Sequence, residues 1–290
     1  MIGIHADISE AAYHADPCPA PSLSSSIARL LLRRSPLHAW HAHPRLNPQP
    51  DERDGTEASD AGSILHKMLL GKGADITVID APDWRTKAAK EAREAAREAG
   101  HTPVLKAALA ELHDAARDIR HQLQSHPEGC MLFEPGIPEA TLIWREGPVW
   151  CRARIDYLLH DDRAPPLDLK TTKLSAAPGE WERRLITEYA IQCAFYRRGL
   201  AALRRATPAM RFIVGEQDAP HAVAVMCAAP SLQAWADAEV ERAIGLWSRC
   251  ITRGEWPGYP PHTAHIEAPG WLLSQQEERA IRDEYMEAAQ

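Results

Sequence analysis

No close pair of cysteines exists in this sequence. The six, Cys18, Cys130, Cys151, Cys193, Cys227 and Cys250, are scattered with no C-x-x-C between them. That excludes a tight zinc knuckle and leaves buried free thiols as the expectation. No run of about 18 apolar residues occurs, so no membrane-spanning helix is expected. Residues 1–10 have neither a basic start nor an apolar core, so no signal peptide is expected and a cytoplasmic chain is the default. An excess of basic residues is missing too. The net charge of -7 excludes a generic nucleic-acid coat and leaves room only for a locally basic channel. The 14 histidines show no H-E-x-x-H spacing, so a zinc hydrolase has no support. What remains is a chain of 290 residues, 45% hydrophobic and 25% charged, an ordinary globular composition.

Residues 1–22 are rich in Pro, Ala, His and Asp and read as irregular. Ser22 to Ser26 lead into an apolar periodic run over 27–34, a helix start, and Ser35-Pro36 stops it. Residues 43–60 read as an exposed loop and 61–70 as a buried helix. The Ala-rich stretch 85–99 predicts a helix closed by Gly100, and another helix is expected over 104–124. Alternation over 139–144 and 149–159, joined by Glu146-Gly147-Pro148, predicts a hairpin. A third strand is expected at 167–172. There follow a helix at 188–204, strands at 211–215 and 221–227, a helix at 231–252, a proline-rich stretch at 256–261 and a polar helix at 272–288. The expected fold class is α/β, an α+β mixed sheet flanked by helices. A single domain over 23–270 with an N-terminal helical elaboration is expected, then a helical tail over 271–290.

Chemistry concentrates in Asp156 and in Asp168-Leu169-Lys170. Asp168 and Lys170 are two apart, so on a strand both side chains leave one face. If the strand carrying Asp156 is a neighbour, the carboxylates converge. Two carboxylates and a backbone carbonyl suffice for a hard divalent cation, and an adjacent lysine can orient a water against a phosphodiester. A D-x-K triplet alone is equally what a surface ion pair looks like. Gly62-Ser63-Ile64-Leu65-His66 lies on an apolar helix, where His66 reads as a core histidine or as an imidazole ligand. Gln192 and Tyr196 are four apart and share one helix face.

In order, these elements read G-S-x-x-H, D, D-x-K and Q-x-x-x-Y. The set resembles the RecB-like branch of the PD-(D/E)xK nuclease superfamily, whose restriction-endonuclease-like core is the fold this implies. Departures are mild: the second acid is Asp168 rather than Glu, and Ile155 stands where a proline usually precedes the first acid. Ser24-Ser25-Ser26 before Leu30-Leu31, Ser35-Pro36, Trp84-Arg85-Thr86-Lys87 and Asp168-Leu169-Lys170-Thr171-Thr172 further resemble the exonuclease VIII (RecE-like) C-terminal nuclease group, over roughly residues 20–270. The resemblance implies a magnesium-dependent exonuclease, with manganese as a possible substitute. It would resect double-stranded DNA from its ends in phage-type recombination, beside a single-strand annealing protein, as a homo-oligomeric ring. An endonuclease on the same fold and a non-catalytic DNA-binding module are the alternatives. By the same resemblance His66, Asp156, Asp168 and the Leu169 carbonyl hold the metal, and Lys170 is catalytic. Gln192 and Tyr196 support the site or touch DNA. Glu139 is an outer metal contact, and Arg154, two before Asp156, suits a phosphate or a solvent-facing salt bridge. Arg29, Arg33, Arg34, Arg85, Lys87 and Lys173 are DNA contacts or solvated surface. Arg85 and Lys87 stand out because they sit beside Trp84, which could stack on an unpaired base.

Overall fold

The computed structural model describes residues 1–47, 57–206 and 208–288. Two compact units divide the chain, Met1–Gly258 and Tyr259–Gln290, where the sequence suggested a boundary after 270. The first opens with a short strand β1 (Gly3–His5) and one helical turn, α1 (Glu10–His14). Helix α2 (Ser25–Arg33) starts at Ser24, whose Oγ accepts the Ile27 N–H. Helix α3 (Pro36–Ala42) starts at Ser35 with proline in its first turn, where the missing N–H costs nothing. Then come α4 (Glu57–Leu70), β2 (Ile76–Ile79), α5 (Lys87–Glu98), β3 (Thr102–Leu105) and α6 (Lys106–Ser125). A 3₁₀ turn at Gly129–Phe133 precedes the hairpin of β4 (Gly136–Glu146) and β5 (Val149–Leu159). Strand β6 (Leu167–Thr172) is followed by α7 (Pro178–Arg184), a π-helical turn at Leu185–Tyr189 and α8 (Ala190–Ala202). Strands β7 (Arg211–Glu216) and β8 (Val223–Met226) and helix α9 (Pro230–Arg253) complete the unit. The second unit contains α10 (Gly270–Ala288).

Six strands form one mixed sheet in the order β1-β4-β5-β6-β7-β8, and β2 pairs with β3 in a separate parallel pair. Strands β6 and β7 are parallel, and α7 and α8 make the crossover between them; the other pairs are antiparallel. The period of two along β7 shows how the sheet is covered. Phe212 and Val214 join Trp144, Phe195 and Trp247 in the core under α2, α8 and α9, whereas Ile213 joins Leu69, Ile119 and Leu123 under α4 and α6. Leu167 and Leu169 lie on the α4/α6 side, which turns Asp168 and Lys170 toward α8.

Three expectations need correction. Residues 1–22 are irregular only in part: they carry β1, α1 and the buried Tyr13, Asp16, Cys18 and Ser22. Residues 104 and 105 end a strand rather than begin a helix. Part of the loop expected at 43–60 is helix from Glu57, and residues 48–56 lie outside the described residues. Of the cysteines, Cys227 is exposed and Cys130 half-buried, while the other four are buried and all are free.

The N-terminal segment is ordered by a buried polar network, which composition does not reveal. Asp16 accepts from the Ser22 N–H at 2.8 Å, the Ser22 hydroxyl at 2.7 Å and the Cys18 N–H at 3.2 Å. The His43 ring and the Arg152 guanidinium each lie 3.3 Å from it. Arg152 belongs to β5, and Leu23 pairs with Cys151 in a parallel bridge. Residues 22–24 thus take the upper edge of β5, while β6 takes the lower one at Tyr157↔Leu167. Burial pushes the Asp16 carboxyl up, but the His43, Arg152 and Ser22 contacts outweigh it and hold the group at about 2.

A carboxyl held below its unfolded value of 3.8 stabilises the fold above about pH 4 and loses that contribution as pH falls toward 2. The pH-dependent part is worth about 2 kcal/mol. Asp16→Asn is expected to cost about 3 kcal/mol at pH 7, because it leaves buried Arg152 without its counter-charge. Urea unfolding of both proteins at pH 7 and pH 3 checks this: the gap between them should narrow at pH 3. Equal midpoints at pH 7 would contradict it.

Candidate active site

Between its two edge partners β5 presents residues 153–156, and the site is built in this gap. Beyond Tyr157↔Leu167 no further β5–β6 register pair exists among the described residues. The Asp156 side chain fills the opening: its Oδ2 accepts the Leu169 N–H at 2.9 Å, satisfying a strand amide that the backbone leaves open. Helix α4 then brings His66 to the same oxygen, Nε2 to Oδ2 3.3 Å. α4 can come this close to β6 because residue 62 is glycine, where a Cβ would stand 3.3 Å from Thr171 Oγ1. On the other side Asp168 is fully buried. Its Oδ2 accepts from Gln192 Nε2 of α8 at 2.5 Å, and Lys170 Nζ lies against its Oδ1. The same ammonium is 3.9 Å from Asp156 Oδ2, so one lysine lies between the two carboxylates.

Glu139 and Arg154 form the adjoining wall. Glu139 adopts a left-handed backbone, φ 52°, inside a strand; a non-glycine residue held there stores strain of order 1 kcal/mol, as site residues often do. Its carboxylate accepts from Arg154 Nη2 at 2.5 Å and stands 3.9 Å from His66 Nδ1. Arg154 also donates to the Ile8 carbonyl at 3.0 Å and to Thr141 Oγ1 at 3.3 Å. The cleft holds about 700 Å³ and is lined by His66, Glu139, Arg154, Asp156, Leu169 and Lys170, with Gly62, Ser63, Thr171, Arg184 and Tyr189 beside them.

Charges in this corner are mutually dependent. Burial and the neighbouring Asp156 charge push the Asp168 carboxyl up, more than the Lys170 ammonium pulls it down. For Asp156 burial also works upward, but Lys170, His66 and the Leu169 amide win and hold it below the ordinary carboxylate range. Burial disfavours charge on Lys170 and His66, yet the carboxylates override it and raise both. One carboxylate is thus set as a firm anion and the other as a reluctant one, a division common at catalytic sites.

The structure brings together His66, Asp156, Asp168, Leu169, Lys170, Gln192, Glu139 and Arg154. It does not bring in Arg85 or Lys87, which the sequence offered as DNA contacts beside Trp84. Both side chains are exposed away from the cleft lining, Arg85 3.7 Å from Asp83 and Lys87 3.6 Å from Glu91, and the Trp84 ring faces Arg93 at 5.2 Å. Tyr196 is buried in the hydrophobic core and is no part of the cleft wall. Sequence reasoning missed Tyr189, Arg184, Ser63 and Thr171. Tyr189 had a signal: it precedes Gln192 by three and shares that helix face. Ser63 and Thr171 lie within or next to the motifs already singled out. Arg184 had none.

The donors present fit a divalent metal. Asp168 Oδ1 is buried with the Lys170 ammonium against it, the carboxylate oxygens are the ligand type hard cations take, and the His66 imidazole is a ligand type of borderline divalent ions. Among the described residues no group of three or more His, Cys, Asp or Glu stands arranged around a common ion position, in keeping with Lys170 lying between the carboxylates.

Comparison with known proteins agrees with this geometry. Residues 31–268 match the model of a family described as a PDDEXK-like domain of unknown function (DUF3799). No curated protein matches the chain. The crystal structure of a Eubacterium rectale protein, provisionally named an exonuclease, superposes with a TM-score of 0.57 at 13% identity, covering 91% of this chain and 96% of that one. At that identity the likeness is one of fold.

Gly62 offers a direct check on the construction of the site. Gly62→Val forces a branched side chain into Thr171 and is expected to destabilise by about 1–3 kcal/mol as α4 is pushed off β6. Gly62→Ala needs only a few tenths of an ångström of movement by the Thr171 hydroxyl. Thermal unfolding of the two variants should separate them, with valine clearly lower; indistinguishable melting would contradict the close approach.

Proposed function

We propose, from the premise that the chain belongs to the PDDEXK-like family matched over residues 31–268, that it is a metal-dependent deoxyribonuclease degrading double-stranded DNA from its ends. One observation carries the reading: Lys170 lies against Asp168 and within 3.9 Å of Asp156, at the lip of a cleft that also holds His66. A surface ion pair does not explain this, because Asp168 is fully buried and such burial is costly unless the charges serve one another or a ligand.

Asp156, Asp168, His66 and the Leu169 carbonyl would hold magnesium, with manganese as substitute. When bound, the ion supplies positive charge to the scissile phosphate and acidifies a water. This chain's own residues do the rest. Lys170 orients the attacking water and meets the charge developing on the phosphate. Gln192, donating to Asp168 Oδ2, leaves Oδ1 to the Lys170 ammonium. Arg154, anchored by Glu139, offers a guanidinium to a neighbouring phosphate. The net charge of -7 is compatible with this, since the acidic site itself contributes and only the cleft need attract DNA.

The likeness to a provisionally named exonuclease and the RecE-like sequence motifs support digestion from ends. The test uses end-labelled linear duplex and closed circular DNA with magnesium. Linear duplex should be shortened from its ends and the circle left intact; Asp168→Ala and Lys170→Ala should each slow digestion by about a thousandfold. Cleavage of the circle would point to an endonuclease on the same fold. Full activity in both variants would remove the assignment.

A further inference from the structure

We infer that Tyr189 is a positioning residue that fixes the Lys170 ammonium over the two carboxylates, an inference that rests on the nuclease reading. Lys170 has a flexible four-carbon stem, and its two carboxylates attract the ammonium without limiting its approach to one direction. The Tyr189 ring supplies the third contact: Lys170 Nζ lies 5.4 Å from its centroid, within the range of a cation–π interaction.

The ring is itself held on several sides. It stacks on Trp181 with centroids 5.8 Å apart and planes 10° from parallel. Trp181 is buried and tied by its Nε1–H to the Ser175 carbonyl at 3.1 Å. The Tyr189 ring also leans on Phe212 at 5.4 Å, and Phe212 is the β7 partner of Asp168 in the sheet register. The ring and the carboxylate that Lys170 serves are therefore fixed to the same rung of the sheet. The local backbone is adapted to this. Tyr189 ends the π-helical turn, where the Ala190 N–H reaches the Leu185 carbonyl five residues back, and such one-residue insertions recur at functional sites. Arg29 Nη1 pins the turn to α2 through the Glu188 carbonyl at 2.8 Å. Three residues on, still on the same helix face, Gln192 holds Asp168. The crossover between β6 and β7 thus fixes both members of the Asp168–Lys170 pair.

The test compares wild type, Tyr189→Phe, Tyr189→Leu and Lys170→Ala on end-labelled linear duplex with magnesium, with thermal unfolding of each. Tyr189→Phe keeps the ring face and is expected to retain kcat. Tyr189→Leu should lose about tenfold in kcat with KM changed by less than about twofold. Should the leucine variant unfold, ring-fluorinated phenylalanine at position 189 keeps the shape while weakening the attraction for a cation, and kcat should fall with the degree of fluorination. Unchanged kcat in the leucine or fluorinated proteins, a loss confined to KM, or equal damage from Tyr189→Phe would each overturn the inference. Its failure is distinguishable from that of the nuclease reading. An active wild type with an inactive Lys170→Ala and an unimpaired Tyr189→Leu removes only the role of Tyr189. A wild type without magnesium-dependent digestion removes both.

Discussion

Two carboxylates share a narrow gap between β5 and β6, and the rest of the first unit is arranged around their mutual repulsion. Asp168 is fully buried and Asp156 largely so. Leaving two anions so placed without compensation would cost several kcal/mol. Each element of the surroundings supplies part of the answer: β6 its Lys170 and an amide, α4 its His66, α8 its Gln192. The gap exists because residues 22–24 occupy the upper edge of β5 and keep β6 to the lower. The network around Asp16, 140 residues from Asp156 in the sequence, holds the segment that takes the upper part of this edge.

This arrangement explains why the region was partly legible in the sequence. The period of two in Asp168-Leu169-Lys170 was enough to place acid and amine on one face. The Gly147-Pro148 turn was enough to set the hairpin, which runs in register from Gly136↔Leu159 to Glu146↔Val149. The Ser24 cap marked the start of α2, whereas Ser35-Pro36, which reads as the stop of that helix, in fact begins α3, a helix the sequence did not announce. His66 and Gln192 could be singled out because helical spacing put a polar group on a face that also had to pack.

What could not be read has physical reasons as well. Strand β1 has three residues, too few to show a period, and the order of residues 1–22 comes from long-range partners, His43 and Arg152. Strand β3 reads continuously into α6 because Leu105 and Lys106 carry no break signal. The π-helical turn at Leu185–Tyr189 inserts one residue without any compositional mark. Arg85 and Lys87 attracted attention through their aromatic neighbour, but Trp84 faces Arg93 and the pair lies on open surface. Short-range pattern identifies what can do chemistry; whether it faces the cleft depends on contacts far along the chain.

On the proposed function, Asp156 and Asp168 belong to one divalent-metal site at the parting of β5 and β6. Calorimetric titration of manganese into the metal-stripped protein, beside Asp156→Asn and with folding of the variant verified by its circular dichroism, addresses it without relying on any substrate. Saturable binding is expected for the wild type, and its loss in the variant. Identical isotherms for the two proteins, or a wild type that takes up no metal, would contradict it.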